Sequence, residues 1–249
     1  MKEITKIGCM AFALSFSFNL LFAQTADLAK IEQQFYTAYI TNSVPAWTIS
    51  LQQLAEKQDD SNQLLLAKGY YAAAGTALGN QNEDLAEELI DKAEELVKTL
   101  LSTDKKSPEG NALLSSVYGM QIGLSPMKGM YLGGKSSKAA EKGVELDPDN
   151  GFTNFVIGNN LFYTPAMWGG DTKKGIEHLE KAKGIYEAAE QTKSWEYMSV
   201  LATLGQAYHR EEQYDAAKEV YATALEIAPN FGYVKMYLLP RTEKATKSK

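Results

Sequence analysis

Thiol and imidazole groups are nearly absent from this chain. Its 249 residues include one cysteine, Cys9, and two histidines, His178 and His209. A lone cysteine near the start, in a segment expected to be cleaved off, leaves no thiol in the mature chain. That excludes a disulfide framework, a cysteine nucleophile and a thiolate metal site. Neither histidine sits in an H-E-x-x-H or comparable ligand spacing. Both read as surface or groove residues, His178 on a solvated face beside Glu177 and His209 solvated or hydrogen-bonded. Two phosphate and acyl-transfer signatures are missing as well. Gly133-Gly134-Lys135 lacks the spacing of a phosphate-binding loop, and no Gly-x-Ser-x-Gly elbow occurs. Carboxylate pairs such as Glu87-Glu88 and Glu94-Glu95 fall in helical stretches where charges face water. The expectation is a chain without enzymatic activity, cofactor or metal.

Basic side chains are outnumbered, 25 Lys and Arg against 31 Asp and Glu, for a formal charge of −6. That argues against a nucleic-acid partner, because neutralising phosphates takes a basic face. No run in residues 24–249 approaches 18 consecutive apolar residues, so no membrane span is expected in the mature chain. Proline is scarce, at seven residues, and alanine is frequent, which suits helices.

What is present begins with a targeting segment. Lys2 and Lys6 precede an apolar run that ends at the small residue Ala23. This reads as a signal peptide over 1–23, cleaved near Ala23-Gln24, and places the protein in the periplasm or cell envelope. A single membrane anchor is the alternative, but Ser15, Ser17 and Asn19 dilute the run and no positive flank follows it.

The most regular stretch is 198–231. Leu201, Leu204, Gly205, Tyr208, Ala217, Tyr221, Ala224 and Pro229 alternate large and small residues at helical spacing, twice, around a polar break at Arg210–Gln213. Two antiparallel helices follow from this. Gly205, Ala217 and Ala224 allow close approach, Leu204, Tyr208 and Tyr221 fill the seam, and Pro229 ends the second helix. The spacing resembles the 34-residue tetratricopeptide repeat. That resemblance implies neighbouring units, because one unit cannot bury its own face.

The rest of the chain supplies candidates. Leu28, Ile31, Phe35 and Tyr39 form one helical stripe, and Trp47, Leu51 and Leu54 another, so 24–60 reads as an N-terminal capping helix pair. Residues 61–231 read as four repeat-like units with enlarged turns. In the first, Ser61 is the expected cap, Lys68 departs from the small position, and six extra residues fall around Leu78–Asn82. In the second, the Gly- and Met-rich insertion 121–136 looks too broken for a regular helix. In the third, Thr164-Pro165 breaks a helix, and Asp171 caps the next. Residues 232–240 read as a C-terminal capping helix and 241–249 as a disordered basic tail. The fold expected is an all-α, right-handed solenoid of antiparallel helix pairs.

The resemblance implies a concave face built from the first helix of each pair. By spacing, that face holds Phe152, Phe155, Asn159, Phe162 and Tyr163 in one unit, and Ala202, Gln206 and His209 in the last. The aromatic residues can either line a groove or pack beneath a neighbouring unit, and the spacing leaves both open. The function expected is a non-enzymatic, exported adaptor that binds a protein or peptide in the groove. The alternative is a small-molecule binder tied to envelope transport, its ligand enclosed between groove and inserted loops.

Overall fold

In the computed structural model, residues 27–57 and 62–247 are described. The expected signal peptide, its cleavage site and the cap at Ser61 lie outside them. Among the described residues there are eleven α-helices and no strand. In chain order they are α1 (27–40), α2 (Val44–Ala55), α3 (Gln63–Gly79), α4 (Glu83–Thr103), α5 (Pro108–Leu124), α6 (Gly129–Leu146), α7 (Gly151–Tyr163), α8 (Thr172–Ala188), α9 (Trp195–Arg210), α10 (Tyr214–Ile227) and α11 (Leu239–Lys247). Short 3-10 turns at Pro126–Lys128 and Ala166–Trp168 precede α6 and α8, and a π-helical turn, Val234–Leu238, leads into α11.

Local chemistry fixes the starts of these helices. Ser43, Asn82, Ser107, Asn150, Asp171 and Ser194 each accept a hydrogen bond from a first-turn amide. Each relieves one of the unpaired donors at a helix start, and Asp171 relieves two. Helices pair antiparallel, α1 with α2 through α9 with α10. Asp27 and Lys57 form a 2.7 Å ion pair that ties the start of α1 to the end of α2.

Three of the five within-pair turns share one geometry. Asn42, Gln81 and Glu212 take left-handed conformations, with φ of 51°, 60° and 58°. The next residue's amide then reaches back to the carbonyl of Ala38, Ala77 or Tyr208 at 2.9 Å. This is the Schellman-type close of a helix.

The other two turns are built out. The α5–α6 turn adds Ser125 and the 3-10 residues. The α7–α8 turn runs from Thr164 to Asp171, with Gly169 at φ 94° and the Asp171 amide on the Leu161 carbonyl at 2.9 Å.

Helix lengths depart from expectation. The extra residues of the first unit do not enlarge its turn. They lengthen α3 and α4 to 17 and 21 residues, leaving a three-residue connection. The Gly- and Met-rich insertion is largely helical, because α5 runs to Leu124 and α6 begins at Gly129. The chain beyond residue 240 is also helical to Lys247, in place of the expected disordered tail. Val234, Leu238 and Thr242 recur at four-residue spacing and are all buried, so one continuous stripe holds this segment down.

The seams are packed closely. A Cβ on Gly205 would overlap the Tyr221 ring, and Ala217 is fully buried. The first and last pairs also meet. The Tyr39 ring of α1 lies 6.2 Å from Trp195 of α9 and 5.6 Å from Phe231, beyond α10. Tyr71 of α3 and Phe152 of α7 each lie 6.4 Å from the same indole. Trp195, 3% exposed, is thus the centre on which four inner helices converge.

Beside it lies a buried charge group. Lys68 Nζ is 2.7 Å from Glu109 and 3.6 Å from Glu196, and sits 4.0 Å above the Phe152 ring. Burial opposes the Lys68 charge. Glu196 and Glu109 outweigh it and hold the ammonium above its ordinary value. The departure from a small residue at this position is explained: α3 uses the lysine to bind the starts of α5 and α9.

Candidate functional site

Most of the expected aromatic groove is core. Phe152, Phe155 and Phe162 are 1%, 3% and 3% exposed. The Phe152 ring meets Trp195 at 6.4 Å and Phe155 at 6.3 Å, and the Arg210 guanidinium covers the Phe162 ring. These phenylalanines therefore pack beneath neighbouring helices and do not present a groove to solvent. Asn159 is half-buried, and its Oδ1 has no hydrogen-bond partner among the described residues. Neighbouring Asn160 donates to the Ser136 hydroxyl at 3.0 Å, part of a polar contact joining α5, α6 and α7.

The other expected residues do come together, at the turn edge of the array. Phe162, Tyr163, Gln206 and His209 line a cavity of about 160 Å³ with Arg210, Tyr221, Leu238, Arg241 and Thr242. Each wall has a local reason. The end of α7 offers carbonyls that no helix continues to satisfy. Arg210 donates to one of them, that of Phe162, and its guanidinium stacks 3.7 Å over the Phe162 ring. His209 Nδ1 lies 2.9 Å from the Thr242 hydroxyl, and its ring meets Tyr214 edge-on at 5.3 Å. Burial, helped by the charge of Arg241, lowers the His209 pKa, so the imidazole is neutral near pH 7. Burial likewise pushes the Tyr221 phenol well above its ordinary value.

A second, open cleft of about 610 Å³ adjoins the first and shares Tyr163 and Arg210. Its other walls come from the α7–α8 turn, Thr164 to Lys173, and from Glu211. Together these surfaces present guanidinium, amide and phenol groups. Such groups are donors for a carboxylate or another anion. Tyr163 stands at the junction, 59% exposed, with its ring edge-on to Phe162 at 4.6 Å.

Sequence reasoning misses Arg210, Arg241 and Thr242. The first falls in a stretch that reads as a polar break, and the others in the expected tail. The four-residue stripe through Val234, Leu238 and Thr242 is the available signal. His178 also differs from expectation. It is half-buried on α8, with Nδ1 3.1 Å from Asn154 Oδ1, and burial lowers its pKa. Among the described residues no group of three or more His, Cys, Asp or Glu could hold a metal ion. No helix among them is long and apolar enough to cross a membrane.

The tetratricopeptide repeat family profile matches residues 199–231. No curated protein matches the sequence. Among solved structures, the chain is similar to the HusA haemophore from Porphyromonas gingivalis, at 20% identity and a TM-score of 0.56, over 73% of this chain and 93% of that one. It is also similar to a thermophilic tetratricopeptide-repeat protein from Thermus thermophilus, at 19% identity and a TM-score of 0.51, over 91% and 96% of the two chains. At these identities the likeness is one of fold. Proteins of this fold are generally non-enzymatic scaffolds, and a scaffold or binding role is the coarse function the fold supports. With five antiparallel helix pairs stacked in chain order and a match to the tetratricopeptide repeat at 199–231, this chain has the fold of a tetratricopeptide-repeat array.

Proposed function

We propose that this protein is an exported adaptor that captures a protein or peptide partner at the turn edge, through a carboxylate of the partner seated between Arg210 and Arg241. One observation carries the reading. The cavity of about 160 Å³ is the size of a single side chain and brings two guanidiniums, an amide and two phenols to one place. Arginine and tyrosine are the residue types that most often anchor an interface. The expected open groove along the inner helices is not part of this proposal, because those helices converge on Trp195. Export rests on the charged start and apolar run of residues 1–23.

The test is capture from cell-envelope extract by the immobilised protein, compared with an Arg241→Glu variant. The partner should be lost with the variant while its thermal melt is unchanged. Equal capture by both proteins would remove the pocket from the function. N-terminal sequencing of protein recovered from the envelope checks export, and an intact Met1 would refute cleavage.

A second reading is favoured by the adjoining cleft. Its volume of about 610 Å³ falls within the ~300–1,000 Å³ range of small-molecule sites. The fold likeness to a haemophore makes hemin the first compound to titrate. A shift of the hemin absorption band that disappears with Tyr163→Ala would favour this reading over the adaptor.

A further inference from the structure

Among the described residues, the four most exposed large apolar side chains, Met130, Met167, Met127 and Trp168, all lie at the two built-out turns; Met236 and Tyr237, at 64% each, follow on the segment leading into α11. Met127, Met130 and Tyr131 are 75%, 85% and 57% exposed at the α5–α6 turn; Met167 and Trp168 are 82% and 73% exposed at the α7–α8 turn. These turns are neighbours. The Asn160–Ser136 hydrogen bond lies one turn from the end of α7 and two turns into α6, so the first turn of α6 lies beside the end of α7. The three compact turns carry nothing comparable.

The charge of this rim is opposite to that of the chain. Residues 119–138 and 163–176 hold five lysines, Lys128, Lys135, Lys138, Lys173 and Lys174, and a single carboxylate, Asp171, within a protein of net charge −6. Asp171 is occupied: it caps two α8 amides and lies 3.8 Å from Lys174. Lys135 and Lys173 are exposed. Glu94, bonded to Gln121 and acting on Lys128, and Glu211, in the cleft beside Lys173, adjoin these turns, so with five lysines and Arg210 against three carboxylates the surface is apolar with a net basic charge.

We propose that this rim docks the protein on an anionic lipid surface, with Trp168, Met130 and Met167 entering the headgroup boundary and the lysines meeting lipid phosphates. The shape favours a membrane over a protein. The apolar groups are exposed at two separate turns and would need a matching pit at each in a rigid partner. A lipid interface deforms around them. Tryptophan and tyrosine, apolar at one end and polar at the other, suit that depth. Lysines near an anionic surface add attraction that falls with salt. The proposal does not depend on what the pocket next to Tyr163 holds.

The experiment uses the full chain and vesicles whose phosphatidylcholine carries brominated acyl chains, with or without phosphatidylglycerol. Bromine quenches tryptophan only at short range. The chain has three tryptophans, and Trp47 and Trp195 are 1% and 3% exposed. The signal thus reports Trp168, and Trp168→Phe supplies the blank. Residues 1–23 contain no tryptophan and are silent even if they bind lipid. Quenching that requires phosphatidylglycerol, weakens with salt and drops at least tenfold in apparent affinity in Lys135→Glu with Lys173→Glu is the expected result, at about fivefold per lysine removed. Four outcomes overturn the proposal. One is no quenching at millimolar lipid, and another is co-sedimentation without quenching, which puts binding elsewhere. A third is quenching indifferent to lipid charge. The last is a concentration-dependent dimer in sedimentation that Trp168→Glu abolishes, which assigns the rim to a second copy.

Discussion

The compact turns and the built-out turns of this array are made by different means. At Asn42, Gln81 and Glu212 one left-handed residue closes each helix, and the chain reverses in the shortest space. At Ser125–Lys128 and Thr164–Asp171 the chain spends extra residues in 3-10 turns and leaves methionine and tryptophan in solvent. Burial explains the first set, because helices that close tightly bring their seams together. It does not explain the second, where apolar area is exposed on well-braced backbone. Stability is concentrated in the interior and seams, and the apolar rim contributes little to it.

That contrast can be broken most forcefully from the interior. Phe155→Ala should cost about 3–5 kcal/mol, as for other buried phenylalanines. Lys68→Met should cost a similar ~3–5 kcal/mol, because it strands Glu109 and Glu196. Denaturant titrations read both losses, and near-parental midpoints would mean that neither Phe155 nor the Lys68 charge group holds the interior together.

Glycines sharpen the comparison at a smaller scale. Gly205→Ala should destabilise by about 1–3 kcal/mol, since its methyl has no room beside Tyr221. Gly134→Ala, on α6 near a built-out turn, meets nothing within 4 Å. It should stabilise by about 0.5–1 kcal/mol through helix propensity. Paired thermal melts with shifts of the same sign would refute the distinction.

The histidines give a pH signature. Burial lowers the pKa of both His178 and His209, so the folded state binds fewer protons than the unfolded chain just below the ordinary value of about 6.5. Their contribution is complete above that value and is lost as pH falls through it toward the lowered folded values. Stability measured from pH 7.5 downward should fall more in the parent than in His178→Gln with His209→Gln. Identical pH curves would show that neither imidazole is held neutral by the fold.

The smallest effects belong to the rim. Met127→Ser, Met167→Ser and Trp168→Ser should each change stability by no more than about 0.5 kcal/mol. A larger loss in calorimetry would mean these side chains pack against something and would remove the contrast.

The last repeat is legible in the sequence because each of its contacts is local. Gly205 and Tyr221 belong to one hairpin, and the spacing alone brings them together. Helix lengths are harder to read. Four glycines and a proline across 123–134 suggest a broken segment, since each glycine costs a helix about 1 kcal/mol. Yet Leu132, Ser136, Ala140 and Gly143 bury a continuous stripe, and tertiary packing overrides propensity. Of the site, Tyr163, Gln206 and His209 follow from the repeat register. Burial of Phe152 does not, because the groups that cover it, Trp195 and Lys68, come from distant parts of the chain. Arg210 and Arg241 are hidden for another reason: an isolated charge at a helix end is usually solvated.

The contact of Tyr39 with Trp195 and Phe231 changes how this array should fold. In an open repeat array each unit leans only on its neighbours, and the ends can fray one unit at a time. Here the first helix is locked to the last pair, and neither end can loosen without opening the other. Unfolding should then be a single event in place of stepwise peeling. Folding carries the loop-closure cost of joining residues from opposite ends of the chain, which raises contact order and slows the reaction relative to an open array of equal length. The same closure protects the chain: a protease must wait for global opening before it can cut between pairs.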